Sequence, residues 1–233
     1  MLTDPIPAPS QATPHPVLDE LLQLVGQLGC RSLSRQLELA TLPRDEQQLA
    51  DFWSRSQPAE SDGYVCLNTG GAFGAAKDWP VGHFAELARR IAVELGRTVL
   101  IVCGPQERET ARGIVAAVSH PRVVSLADEP PSIGLTKAAI RHADLLVTTD
   151  SGPRHFAAAF DVPAITLFGP THIAWSETFH PLAVHLQLSV DCGPCQQRTC
   201  PLGHHRCLRD LTVDHVWKEV VRQLPTTSRR VAA

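Results

Sequence analysis

No run of about 18 apolar residues occurs in the chain, so no segment reads as spanning a membrane. Basic tracts are scarce as well. The formal net charge is −3, and no cluster of Lys and Arg exceeds a few residues. Nucleic acid is therefore a poor candidate for the partner. The opening MLTDPIPAPSQATPHP has neither a basic start nor an apolar core, so it does not read as a secretory signal. Rich in Pro, Ala, Ser and Thr, residues 1–16 read as a disordered arm. Without an export signal, reduced thiols and a cytoplasmic location are the default. Two phosphate fingerprints are also missing. No Gly-Lys-Ser/Thr closes a P-loop, and no G-x-G-x-x-G with a downstream acid marks a NAD-dependent dehydrogenase. No internal repeat is visible. What is there is ordinary globular composition: 233 residues, 43% hydrophobic and 19% charged. That suffices for one good-sized domain, or one domain with an appendage.

Residues 17–28 and 43–56 carry apolar side chains at helical spacing, the second opening on Pro43. From residue 63 onward a regular alternation begins. Strand-like runs fall at 64–68, 98–103, 122–126, 144–149, 163–168 and 183–188. Helical patterns lie between most of them, at 81–95, 105–118, 132–142 and 152–160, and a last one covers about 212–224. The runs are continuously apolar rather than alternating, as strands covered on both faces must be. Alternating strands and helices with short connections imply right-handed crossovers and a Rossmann-like, doubly wound parallel α/β sheet. The expected organisation is the arm at 1–16, a helical segment at 17–60, one α/β domain at 61–225 with a Cys-rich loop at 190–208, and a tail at 226–233.

Such sheets bind ligands beyond the carboxyl ends of their strands, so the strand-to-helix turns carry the chemistry. In NTGGAFGAAKDWP (68–80), Gly70, Gly71 and Gly74 permit tight turns with exposed N–H groups, and Lys77 adds a cation. A solvated lysine on a surface loop would look the same. In CGPQERETARG (103–113), Glu107 and Glu109 fall in the expected first helical turn. There they suit the helix dipole, or one of them reaches a ribose hydroxyl. In TTDSGPRH (148–155), Asp150 or Ser151 can cap the next helix, Gly152 admits close approach, and His155 lies near the helix start. In FGPTHIAW (168–175), Thr171 and His172 stand beside the same rim or form an ordinary turn. Amide donors, a lysine and hydroxyls with few apolar anchors suit a diphosphate with a ribose. The residues alone thus point to a phosphate-bearing nucleotide.

Three stretches, NTGGAFGAAKDWP, TDSGPRHFAAAFDVPAITLFGPT and CGPCQQRTCPLGHHRC, resemble the C-terminal half of the family-9 glycosyltransferases, and among them the ADP-heptose:lipopolysaccharide heptosyltransferases of type II. The resemblance covers about residues 14–225, with Asp150 to His155 matching the family's Asp-Ser-Gly-x-x-His pattern. It implies the donor-binding half of a GT-B fold with the N-terminal domain largely missing. The helical segment at 17–60 would then be the remnant of that domain and its linker. The donor would be ADP-heptose, met by Thr69, Lys77, Glu107, Asp150, Ser151, Gly152 and His155. The acceptor would be the lipid A–Kdo core of lipopolysaccharide, with peripheral contact at the inner face of the inner membrane. The catalytic base would come from the missing domain, leaving this chain donor-binding and weakly active or inactive. The alternative is a non-catalytic nucleotide-binding remnant, or a subunit that depends on a partner. No cofactor is called for, and no metal is assigned to the donor site.

Four cysteines crowd into residues 192–207: Cys192, Cys195, Cys200 and Cys207, with His204 and His205 among them. One Cys-x-x-Cys is present where zinc ribbons carry two. A metal site, disulfide or redox pairing, and unligated thiols in a packed loop all stay open. Cys66 and Cys103 lie in apolar runs and read as small buried hydrophobes.

Overall fold

The computed structural model describes residue 6 and residues 13–224. The expected tail at 226–233 and most of the expected arm at 1–16 lie outside the described residues. Six strands form one sheet: β1 (Tyr64–Asn68), β2 (Thr98–Val102), β3 (Val123–Ser125), β4 (Leu145–Thr149), β5 (Ala164–Phe168) and β6 (Ala183–Gln187). Their spatial order is β3-β2-β1-β4-β5-β6, and every neighbouring pair is parallel. This is the doubly wound order expected of a Rossmann-like sheet, with the strand order reversing between β1 and β4.

The continuous apolar runs are explained by the two-residue period of a strand. Val65, Leu67, Val99, Ile101, Leu145 and Val147 enter one core, with Phe84, Leu87 and Ile91 of α3 (Val81–Glu94). That core also takes Ala111 and Ile114 of α4 (Arg108–Val118) and Val216 and Val220 of α8 (Val213–Gln223). The intervening residues Cys66, Leu100, Val102 and Leu146 enter the core on the other face. There they meet Leu135 and Ala138 of α5 (Ile133–Arg141) and Ala157 of α6 (Pro153–Ala159). Each such Val, Leu or Ile taken fully out of water contributes about 1.5–3 kcal/mol.

Helix starts follow local chemistry. Ser132 caps α5 by accepting the Leu135 N–H at 3.1 Å, and Thr212 caps α8 through the N–H of His215. α2 (Pro43–Ser56) opens on its proline, and Asp45 reaches back to accept the Leu42 N–H at 2.9 Å. Leu49 and Phe52 of α2 share the core of α5 and α6. The expected boundary near residue 60 therefore falls between elements that pack together. By contrast, α1 (Val17–Gln27) buries none of its residues.

One boundary differs in a way that matters. The helix expected at 105–118 begins at Arg108, because the Glu107 N–H turns back to the Gly104 carbonyl at 3.2 Å. Glu107 is thus the residue before the helix rather than part of its first turn, where Glu109 alone remains. Short 3-10 turns at Ala75–Lys77 and Ile173–Ser176, and the four-residue α7 (Arg206–Arg209), were not expected from the pattern.

Candidate functional site

Because all six strands run the same way, the turns after β1, β2, β4 and β5 emerge at one edge of the sheet. A cavity of about 650 Å³ opens there, at the ends of β1, β2 and β4. Its polar wall includes Asn68, Gly71, Gly104, Glu107, Ser151 and Gly152, and Ile133 and Phe156 give it apolar contact. A parallel sheet offers such a crevice where its strand order reverses. An adjoining recess of about 240 Å³ is lined by Thr69, Gly70, Gly71 and Glu107.

The glycine loop is pinned to β4 by Asn68. Its side-chain amide donates to the Gly70 carbonyl at 2.9 Å, to Thr148 Oγ1 at 3.0 Å and to Ser151 Oγ at 2.8 Å. At Gly71 the two loops nearly touch, since a Cβ there would stand 2.6 Å from that of Ser151. Gly74 has φ +135°, a conformation that L side chains rarely adopt. Beside it the Ala76 N–H donates to the Arg198 carbonyl at 3.1 Å, joining this loop to the Cys-rich segment.

Lys77 lies at the same rim as Asp150. Its ammonium donates to Asp150 Oδ2 at 2.6 Å and to the Asp150 carbonyl at 3.0 Å. Three more groups converge on that carboxylate. Thr171 Oγ1 donates to Oδ2 at 2.7 Å, Ser176 Oγ donates to Oδ1 at 2.9 Å, and Arg154 Nη1 stands 3.4 Å from Oδ1. Burial alone would raise the Asp150 pKa, but Lys77, Thr171 and Arg154 outweigh it and hold the carboxyl below its ordinary value. Arg154 is itself buried, lies over the Phe168 ring at 5.0 Å, and donates to the Ser176 carbonyl. Burial lowers its pKa, with Asp150 and Glu177 acting in opposition.

Of the residues expected at the site, Glu107, Ser151 and Gly152 line the main cavity and Thr69 the recess. Lys77 and Asp150 form the buried pair beside them and line neither space. His155, exposed on the first turn of α6, also lines neither. Glu109 pairs on the outer surface with Arg112, its side chain 87% exposed, so Glu107 is the glutamate that faces the cavity. Thr171 joins the Asp150 cluster, whereas His172 turns to accept the N–H of Ala174 at 3.1 Å.

The sequence reading missed Asn68, Arg154 and Ser176. Arg154 had one available signal, a spacing of four from Asp150 at a helix start. Asn68 had another, a polar residue closing an apolar run. Ser176 had none, because it reaches Asp150 only through the path of the chain after β5.

Cys192, Cys195, Cys200 and Cys207 line one small pocket with His204 and His205, and all four thiols are free. Among the described residues, no group of three or more His, Cys, Asp or Glu is arranged to hold a metal ion. Backbone N–H groups, foremost that of His205, lower the Cys200 pKa. Burial raises that of Cys207, and burial pushes the Cys103 thiol up to about 11.

A doubly wound parallel sheet with helices on both faces and a crevice at its point of reversal defines a Rossmann-like α/β domain. The chain belongs to glycosyltransferase family 9 (heptosyltransferase), whose model matches residues 17–206. It is 31% identical over 158 residues to lipooligosaccharide heptosyltransferase 2 of Campylobacter jejuni, covering 66% of this chain and 49% of that protein. It is 32% identical over 173 residues to lipopolysaccharide heptosyltransferase 1 of Pseudomonas aeruginosa, covering 72% and 45%. Among solved structures, the ADP-heptose lps heptosyltransferase II of E. coli superposes with a TM-score of 0.66 at 25% identity, covering 80% of this chain and 53% of that one. The chain thus spans about half the length of the curated relatives it matches. No helix among the described residues is long and apolar enough to cross a membrane.

Proposed function

We propose that this chain binds the ADP portion of ADP-heptose and serves the transfer of heptose to the lipid A–Kdo inner core of lipopolysaccharide. The observation that carries this reading is the crevice at the β1/β4 reversal, where a glycine loop and the Lys77–Asp150 pair meet a cavity lined by Glu107, Ser151 and Gly152. Family membership names the chemistry, and two solved E. coli heptosyltransferase structures of this fold hold ADP and ADP-2-deoxy-2-fluoro heptose. In the proposed reaction ADP departs, and negative charge grows on its diphosphate. Lys77 and the backbone N–H groups of the glycine loop stabilise that charge. Ser151 and Gly152 meet the phosphates and the sugar, Asp150 holds Lys77 in place beside them, Glu107 meets the ribose, and His155 borders them. A general base must take the proton from the acceptor hydroxyl, and no residue of this chain is assigned that role. The acceptor is a lipid, so the work is placed at the inner face of the inner membrane.

A second reading is donor binding without transfer by this chain alone. It is supported by α1, whose Leu21, Leu24 and Val25 are exposed while none of its residues is buried, a face suited to a further protein surface.

Calorimetry with ADP, UDP and GDP tests the donor class, and ADP is expected to bind at least about tenfold more tightly than the others. Equal affinity for all three would overturn the donor assignment. Heptose transfer to a lipid A–Kdo acceptor then separates the two readings. Robust turnover excludes the second, and ADP binding without turnover supports it.

A further inference from the structure

Charge at the candidate site is already spoken for. Lys77 faces Asp150 at 2.6 Å, and Arg154 stands 3.4 Å from the same carboxylate. Glu107 adds a second negative group on the cavity wall. These two cations and two carboxylates cancel before any ligand arrives. Beyond what Lys77 and the loop N–H groups provide, a departing nucleoside diphosphate gains from positive charge that no carboxylate already neutralises.

Two side chains near the rim carry such charge: Arg108, after the turn that follows β2, which donates to the Glu129 carbonyl and forms no ion pair among the described residues, and Arg198 beside the glycine loop. Arg198, in the Cys-rich loop, is exposed and forms no ion pair with the described residues. Its guanidinium carbon lies 5.5 Å from the centre of the Phe73 ring, and the Lys77 ammonium lies 4.3 Å from the same ring. Phe73 belongs to the glycine loop, next to Ala72 of the cavity wall. The backbone of Arg198 is fixed there too, through the Ala76 N–H to its carbonyl at 3.1 Å, with Gly74 leaving room for that carbonyl. A second hydrogen bond, from the Gln196 N–H to the Pro170 carbonyl at 2.8 Å, ties the same segment to the turn after β5.

Resting on the nucleotide reading above, we infer that Arg198 is a diphosphate-binding residue: the Cys-rich loop delivers to the glycine loop an uncompensated cation that joins Lys77 in holding the departing nucleoside diphosphate. Arginine suits the task, since its planar fork grips phosphate oxygens in pairs. The inference also gives the loop a purpose that needs no ligand on its thiols.

The test is calorimetry of ADP, AMP and adenosine with the parent chain, Arg198→Gln, Arg198→Lys and the equal-charge control Arg222→Gln on α8. Arg198→Gln is expected to weaken ADP about tenfold, as loss of a charged hydrogen bond does. The loss should shrink for AMP and vanish for adenosine, and Arg198→Lys should recover part of it. A merely structural role would lower the melting temperature and affect all three ligands alike, which overturns the inference. So does ADP affinity in Arg198→Gln within about twofold of the parent, or an equal loss in Arg222→Gln. Failure of the parent itself to bind ADP would instead sink the nucleotide reading on which this one stands.

Discussion

At the amino end of β4, Asp144 meets Arg97 at 2.8 Å; at the carboxyl end, Asp150 meets Lys77 at 2.6 Å. Both pairs are largely buried, and about 20 Å of strand separates them at ~3.3 Å per residue. Their surroundings differ. Arg97 also donates to the Asp62 carbonyl, and neither member of that pair contributes an unpartnered polar atom. Around Asp150, two hydroxyls and a second cation crowd the carboxylate. Nearby, Thr69 Oγ1, Thr149 Oγ1 and Arg154 Nε find no hydrogen-bond partner among the described residues. An unpartnered buried polar group costs about 1–3 kcal/mol. Thr69 lines the recess, where a ligand can offset that cost, whereas the Arg97–Asp144 pair carries no such cost. Under the proposed function, the same ion-pair chemistry serves stability at one end of the strand and prepares a site at the other.

Removing each carboxylate in turn tries to break that contrast. Asp144→Asn and Asp150→Asn should each lose about 3–5 kcal/mol in urea unfolding, because a buried cation is left uncompensated. Only Asp150→Asn should also weaken ADP binding by the folded protein. An equal loss of ADP affinity in Asp144→Asn would abolish the distinction between the two ends. Acid adds a second check. The Asp150 pKa is lowered on folding, so its contribution is complete above the ordinary carboxylate value and disappears as pH falls through the lower folded one. In Asp150→Asn that part of the acid-unfolding slope should be missing.

Lys77→Ala sharpens the comparison from the other partner. ADP affinity should fall by about 1–3 kcal/mol, the range for a charged hydrogen bond. The carboxylate keeps Thr171, Ser176 and Arg154, so stability should suffer less than in Asp150→Asn. Unchanged affinity by calorimetry would remove Lys77 from the site.

The same contrast explains what the sequence could reveal. Strand positions were legible because burial on both faces demands unbroken apolar runs, and β1, β2, β4 and β5 supply them. The rim was legible in outline because Gly70 and Gly71 are small where they meet Glu107 and Ser151 of the neighbouring turns. Partnerships were not. Nothing local says that Lys77 spends its charge on Asp150, 73 residues away, or that Ser176 returns to the same carboxylate. Nor does helical periodicity locate α2 in the core of α5 and α6, since an amphipathic helix fits many apolar faces. The start of α4 was missed for a related reason. A turn and a first helical turn share composition, and only the Gly104–Glu107 hydrogen bond separates them.

That last ambiguity yields the smallest expected effect. Glu107 lines the cavity and its adjoining recess, whereas Glu109, two residues on, pairs with Arg112 in solvent. Glu107→Gln keeps an acceptor oxygen and loses only the charge, so ADP should weaken by about 1 kcal/mol, the difference between a charged and an ordinary hydrogen bond. It should make no difference to 2′-deoxy-ADP if the weakened bond goes to that ribose hydroxyl. Glu109→Gln should leave ADP affinity unchanged and shift stability by less than about 1 kcal/mol, because exposed ion pairs contribute little. A loss confined to Glu109→Gln would mean that the helix begins where periodicity alone places it. The cavity would then have a different acidic wall, and with it a different account of how the ribose is held.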